Sequence, residues 1–246
     1  MGLTAHQLQA SLDALALIDG DVARALSIVG YPEPRIRPRG YTTMLRTIVG
    51  QQVSVAAAAS VWNKLEALLG ADCAPDLLMA AEEDALRACG LSRQKQGYAR
   101  SLAALVTSGE VALDALPADD DEAIALLTRT KGIGRWSAEI YLLFAEGRAD
   151  IWPAGDLAVQ EALARIKRMN ARPAEKETRA IADAWRPHRG AAAIFAWHAY
   201  QQDLSGTDGS AGAGESTGAG GAAFATTAKP KTTKAKKPKP SSAAPV

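Results

Sequence analysis

Cysteine is nearly missing from this chain of 246 residues, with Cys73 and Cys89 the only two. Two thiols exclude a disulfide framework, a Cys-rich zinc site and a four-cysteine iron–sulfur cluster. They read instead as buried thiols of a reducing compartment. Aromatic residues are scarce too, 5% against 48% hydrophobic residues in all, so Ala, Leu and Val must fill the core. That composition favours packed helices over sheets. No apolar run approaches the roughly 20 residues that a membrane span needs. The first residues lack a basic segment followed by an apolar one, which argues against a secretion signal. The expectation is a cytoplasmic, intracellular protein. Net charge is only +1. From Leu204 onward six lysines stand against Asp208 and Glu215, leaving +4 there and −3 on the body. A mildly acidic body cannot bind nucleic acid by bulk charge and would need a local basic face.

What is present is helical periodicity, in nearly every segment up to residue 203. Thr4 can cap a first helix with Leu8, Leu12, Leu15 and Leu17 at its apolar positions. Tyr31-Pro-Glu-Pro, Pro38 and Gly40 mark a break. A helix follows from about Tyr41 to Val49, and Gly50-Gln51-Gln52-Val53 interrupts it. Ser54 caps the next helix, which Gly70 closes. Shorter helices are expected at about 75–81 and 83–89, and Ser92 caps one over 93–107. Asp119, Asp120, Asp121 and Glu122 suit the N-terminus of a helix leading to Gly132. Further helices are expected from Asp156 to about Met169, from Pro173 to Trp185, and over 188–202. No period-two alternation is long enough for a strand, and no internal repeat is visible. The expected class is all-α, one helical domain over 1–203. Residues 204–246 turn Gly/Ala/Ser-rich and then Lys/Pro-rich, which predicts a disordered tail. Such a tail is a solvated extension or a salt-sensitive DNA tether.

Two short runs carry chemistry. In Lys131-Gly132-Ile133-Gly134-Arg135-Trp136-Ser137 two glycines one residue apart separate two helical patterns. Such a hairpin lets a phosphate approach closely, and the unpaired N–H groups of the helix opening at Arg135 face the same spot. It would bind a nucleic-acid backbone without reading sequence; the plain alternative is an ordinary Gly-rich turn. In Pro153-Ala154-Gly155-Asp156 a lone carboxylate follows a Pro/Gly loop. A fixed carboxylate beside a sugar stabilises the positive charge that develops as a glycosidic bond breaks. Asp156 is equally a good N-cap for Leu157 onward, and the two roles are compatible.

Four pieces in order resemble the helix-hairpin-helix/Gly-Pro-Asp superfamily of DNA glycosylases, above all its 3-methyladenine glycosylase II branch. They are Ile48-Val49-Gly50-Gln51-Gln52-Val53-Ser54, the hairpin with Trp136, Pro153-Ala154-Gly155-Asp156-Leu157, and Trp185-Arg186-Pro187-His188-Arg189 followed by Trp197. The resemblance covers about residues 40–202. It implies a two-lobed fold with the hairpin at about 121–146 and the active site in the cleft between lobes. It implies a monofunctional enzyme of base excision repair that flips damaged bases out of duplex DNA. Alkylated purines are the expected substrates, chiefly 3-methyladenine, with 7-methylguanine and hypoxanthine as extensions.

By the same resemblance Asp156 is catalytic, and Trp136 and Trp197 line the base pocket, where electron-rich rings suit a cationic base. Gln52 fills the gap left by the flipped nucleotide, where some members carry Leu. Gln51, Gly132, Gly134 and Ser137 are further candidate DNA contacts, and Arg93, Lys95 and Arg135 read as phosphate contacts or, equally, as ordinary surface charges. Backbone carbonyls of Thr128, Thr130 and Ile133 would hold Na+ or K+; no other cofactor and no iron–sulfur cluster is implied. Members that also cut the strand carry a Lys where this chain has Trp136, so base removal without lyase activity is expected. His188 stands where some relatives carry an aromatic residue and reads as a surface or supporting residue. The segment before Tyr41 is helical and too short for the N-terminal β domain of some relatives. The partner is damaged double-stranded DNA, met by a monomer. Two alternatives remain: a glycosylase for uracil or a mismatched pyrimidine, and a helix-hairpin-helix binding module without catalysis.

Overall fold

The computed structural model describes residues 2–204, and almost all of the Lys- and Pro-rich tail, with its expected disorder, lies outside them. Among the described residues the structure is helical throughout, with no strand, as the composition and periodicity imply. The helices are α1 (Ala5–Ile18), α2 (Gly20–Val29), α3 (Tyr41–Gly50), α4 (Val55–Leu69), α5 (Pro75–Ala80) and α6 (Glu83–Ala88). There follow α7 (Arg93–Thr107), α8 (Asp120–Leu127), α9 (Arg135–Tyr141), α10 (Leu157–Ile166), α11 (Glu175–Ala182) and α12 (Arg189–Tyr200). A π-helical turn, Leu142–Glu146, continues α9, and a 3-10 turn, Asp183–Trp185, follows α11.

Polar side chains start these helices where the sequence places them. Thr4 and Gln7 form a reciprocal capping box at α1. Ser54 accepts from Ala57 N, Ser92 from Lys95 N and Asp119 from Glu122 N. The expected first helix differs from the structure. Asp19 ends α1 and caps α2, accepting from the N–H groups of Asp21 and Val22. This turn leaves Leu17 88% exposed rather than on the apolar face. Helix α10 stops at Ile166, short of Met169, because Arg168 adopts a left-handed φ of +52° and Met169 N returns to Ala164 O at 2.8 Å.

The helices sort into two lobes. Helix α3 packs on α4 and α7, α5 and α6 cover α7, and α8 leans on α9. Helix α10 lies along α12, while α1, α2 and α11 close around that pair. The first thirty residues therefore join the C-terminal helices, and the stretch between α2 and α3 crosses from one lobe to the other. Lys167, at the end of α10, donates to both Asp19 oxygens at 3.0 Å, and Trp185 Nε1 donates to Oδ2 at 2.8 Å. Burial pushes the Asp19 carboxyl up, but the Lys167 and Trp185 hydrogen bonds outweigh it and the net shift is downward. Both cysteines are free and buried, and burial is the main reason the Cys73 thiol is pushed up to about 11.

Candidate active site

The hairpin joins α8 to α9. Ile133 is 3% exposed and its N–H donates to Thr130 O at 3.0 Å, so its side chain anchors the turn inward. Gly132 has φ +82°, and a Cβ there would lie 2.2 Å from the Tyr98 ring. Glycine is thus required twice, by conformation and by space. Gly134 differs: its φ is −90° and a Cβ would meet nothing within 4 Å. Its service is an open approach to the start of α9, where no side chain caps the N–H groups.

Two side chains brace this turn. Gln51, at the end of α3, donates from Nε2 to Gly132 O at 2.8 Å. Tyr98 of α7 lies against Gly132, and Gln94 Nε2 donates to its hydroxyl at 2.7 Å. Sequence reasoning missed Tyr98; an aromatic on the otherwise polar start of α7 was the available signal.

Asp156 enters from the other lobe, as the N-cap of α10. The Pro153–Gly155 loop is tied down by Asp156 N to Pro153 O at 2.9 Å and Gln160 Nε2 to Ala154 O at 2.7 Å. Oδ1 accepts from Ala158 N at 2.9 Å, Val159 N at 3.0 Å and Trp197 Nε1 at 3.2 Å. Oδ2 accepts from Trp136 Nε1 at 2.8 Å. All four partners donate, and a carboxylate, which only accepts, satisfies them all. The cap is real, and both tryptophans named from the sequence converge on the capping side chain.

Trp136 also forms a wall of a cavity of about 360 Å³, shared with Ile140, Thr43, Thr47, Val53 and Arg37. On its other side it borders a cleft of about 460 Å³ with Gln51, Gln52, Lys95, Gly132 and Ser137. Trp197 lies outside the lining of both. It is 5% exposed, its ring 5.5 Å from that of Phe144, and it reaches the site through its N–H.

The other residues singled out from the sequence fall into place unevenly. Gln52 is exposed at the cleft with φ +55°, a left-handed conformation uncommon for a side chain of this kind. Lys95 donates to Val49 O at 2.6 Å, closing the end of α3, and burial pushes its ammonium pKa down. Arg135 is held by Asp121 and Glu139, each at 2.9 Å. Burial opposes its charge, but these carboxylates leave its pKa raised. Arg93 is exposed in the first turn of α7. Thr128, Thr130 and Ile133 all lie on the hairpin, with Thr128 closing α8.

A hairpin with open backbone donors, a carboxylate fixed at the junction of two helical lobes and a cavity walled by the tryptophan that holds that carboxylate define a helix-hairpin-helix protein equipped to grip a backbone and act on a sugar beside it. Comparison with known proteins gives the family. Residues 45–187 match the model of the HhH-GPD superfamily of base excision DNA repair proteins, and the chain belongs to that superfamily. It is 28% identical over 190 residues to DNA-3-methyladenine glycosylase 1 of Schizosaccharomyces pombe, covering 74% of this chain and 83% of that protein. Identity to DNA-3-methyladenine glycosylase 2 of Escherichia coli is 28% over 188 residues, spanning 71% of this chain and 64% of that one. Among solved structures, the S. pombe 3-methyladenine DNA glycosylase in complex with abasic DNA superposes with a TM-score of 0.70 at 26% identity, over 80% of this chain and 100% of that one. A DNA-3-methyladenine glycosidase from Bacillus halodurans gives 0.69 at 28% identity, over 77% and 88% of the two chains.

Proposed function

We propose that the chain is a monofunctional DNA glycosylase that hydrolyses the N-glycosidic bond of alkylated purines, chiefly 3-methyladenine, in duplex DNA inside the cell. The observation that carries this reading is Asp156, held by Trp136 and Trp197, with the Trp136 ring also walling a cavity large enough for a base. Gly134 and the open start of α9 take the phosphate backbone, and the braced Gly132 turn keeps that surface rigid. Gln52 enters the helix as the nucleotide swings out, offsetting part of an unstacking cost of a few kcal/mol. Asp156 stabilises the sugar cation and directs a water to it. A cationic alkylated base leaves with its bond electrons and becomes neutral, so no second carboxyl is required. With an indole at Trp136 in place of an amine, strand cleavage is not expected.

The hairpin carbonyls of Thr128, Thr130 and Ile133 suit a hard monovalent cation, since Thr130 O, engaged by Ile133 N at 3.0 Å, keeps a second lone pair. Na+ or K+ held there would add positive charge beside the phosphate.

Base release from duplexes carrying 3-methyladenine or uracil, with wild type beside Asp156→Asn, tests the reading. Release of the methylated purine that Asp156→Asn loses supports it. Release of uracil alone favours a neutral-base glycosylase, and duplex binding with no base released favours a binding module.

A further inference from the structure

We infer that Thr43 and Thr47 of α3 form a hydrogen-bonding reader in the 360 Å³ cavity, one that favours a purine with an amino group at its six-position over one with a carbonyl there. This rests on the glycosylase reading above and names the edge of the base that is distinguished.

The two threonines stand one turn apart and, with Gly50, bring one face of α3 to the cavity. Thr43 is 8% exposed, yet its hydroxyl has no hydrogen-bond partner among the described residues. A hydroxyl so withdrawn from bulk water is costly unless an occupant of the cavity engages it. Its neighbour is already committed. Thr47 Oγ1 donates to the Thr43 carbonyl oxygen at 3.0 Å, the back-bond of a helical threonine. A hydroxyl has a single proton, so Thr47 can offer the cavity only lone pairs. Gln51, also in the lining, is biased the same way. Its Nε2 donates to Gly132 O at 2.8 Å, and the carbonyl end of the amide is left over.

A methylated adenine suits such a wall. Its six-amino group donates, and the positive charge of the alkylated ring strengthens that donor. Thr47 accepts from it. A six-oxo purine turns a carbonyl toward the same lone pairs, with no proton between the two oxygens. Thr43 keeps its proton free and rotates to donate or accept, so it holds either base without choosing. Trp136 and Ile140 of α9 supply apolar walls.

The two cations of the lining are engaged by other groups. Arg37 lies 5.8 Å from the Phe144 ring centre, and Arg46 lies 4.1 Å over the Trp62 ring and pairs with Glu66 at 3.2 Å. The hydroxyls are then the neutral acceptors offered to a cationic base.

Duplex DNA treated with a methylating agent carries both 3-methyladenine and 3-methylguanine. These bases share their charge and methyl position and differ in amino against carbonyl at position six. Single-turnover release of each, divided by its spontaneous loss, tests the reader in wild type, Thr47→Val, Thr47→Ser and Thr43→Val. Wild type should favour 3-methyladenine about tenfold or more, the effect of one charge-assisted hydrogen bond. Thr47→Val, close in shape but without lone pairs, should bring that ratio near one, and Thr47→Ser should restore it. Thr43→Val should slow both bases by a common factor and keep the ratio. Equal release of both bases by wild type, a ratio kept in Thr47→Val or not restored in Thr47→Ser, or wild-type rates in Thr43→Val overturns the inference and leaves the glycosylase reading standing. A wild type that frees neither base removes both. If Thr47→Val does not fold, the ratio of Thr47→Ala decides in its place.

Discussion

Trp136 Nε1 stands 2.8 Å from Oδ2 of Asp156, across the junction between the lobes. One side chain thus does two things: its ring walls the cavity and its N–H fixes the acid. Trp136→Phe separates them, keeping an aromatic face and removing the donor. A hydrogen bond to a charged group contributes about 1.5–3 kcal/mol, so single-turnover base release should fall about tenfold or more with substrate binding little changed. Trp197→Phe should cost less, because Trp197 donates at 3.2 Å to an oxygen that two backbone N–H groups already hold. Equal losses would mean that the two indoles do not act through the carboxylate.

Asp156 caps α10 and is the proposed catalytic group, and stability and activity should separate on substitution. Asn caps as well as Asp, whereas Ala loses about 1 kcal/mol. Asp156→Asn keeps the cap but turns its Nδ2 against the Trp136 donor, so it should fold with stability lowered by about 1–3 kcal/mol in urea. Asp156→Ala, which loses the cap as well, should also fall below wild type, with base release lost in both. Retained base release in a folded Asp156→Asn would leave the cap as the only role.

The two hairpin glycines predict opposite phenotypes. Gly132→Ala must push aside the Tyr98 ring and hold a left-handed φ. It should cost about 1–3 kcal/mol of stability. Gly134→Ala meets open space at an ordinary φ. Its melting temperature should hold while affinity for any duplex falls, since the methyl group intrudes where a phosphate would sit. Lesion preference should survive, because the hairpin reads no bases.

The local grammar of this fold was legible in the sequence. Caps at Thr4, Ser54, Ser92, Asp119 and Asp156 lie where side-chain chemistry puts them, because an N-cap is decided within four residues. The turn at Asp19 was hidden because Asp-Gly inside an apolar pattern reads as a helix interruption only once Lys167 and Trp185 are seen to arrive from the far end of the chain. The site was legible by residue but not by role. Both tryptophans were visible as candidate pocket rings, whereas their N–H groups meeting on one carboxylate depends on tertiary placement. Arg37 and Tyr98 carried no motif at all; one reaches the cavity, and the other the hairpin, only through folding.

Glu139 should give the protein a measurable pH slope. Its side chain is 3% exposed on α9 and pairs with Arg135 at 2.9 Å and with Arg179 of α11 at 3.3 Å, linking the lobes. Burial raises its pKa above the ordinary 4.5, and the two arginines only partly offset this. The folded state then binds the proton more tightly than the unfolded chain. This contribution is fully present below 4.5 and is lost as pH rises through the folded value. Glu139→Gln does not titrate. Urea midpoints from pH 4.5 to neutrality should therefore fall in wild type relative to Glu139→Gln, and parallel curves would remove Glu139 as the source.

Gln52 offers the sharpest test of strain held for function. It occupies a left-handed φ of +55° beside the cleft. Holding a side chain in that region costs roughly 1–2 kcal/mol, from which the greater unfolded-state freedom of glycine takes back about 0.5–1. Gln52→Gly and Gln52→Ala both delete the amide, but only glycine relieves the backbone. Gln52→Gly should thus be more stable than Gln52→Ala, by up to about 1 kcal/mol in urea unfolding. Both should lose the same preference for lesion-bearing over undamaged duplex, since neither can fill a vacated base position. Gln52→Leu should restore that preference by apolar contact while keeping the strain. If glycine and alanine bind lesion duplex as tightly as wild type, this segment does not enter the helix, and its strained backbone must be explained by its place between α3 and α4 alone.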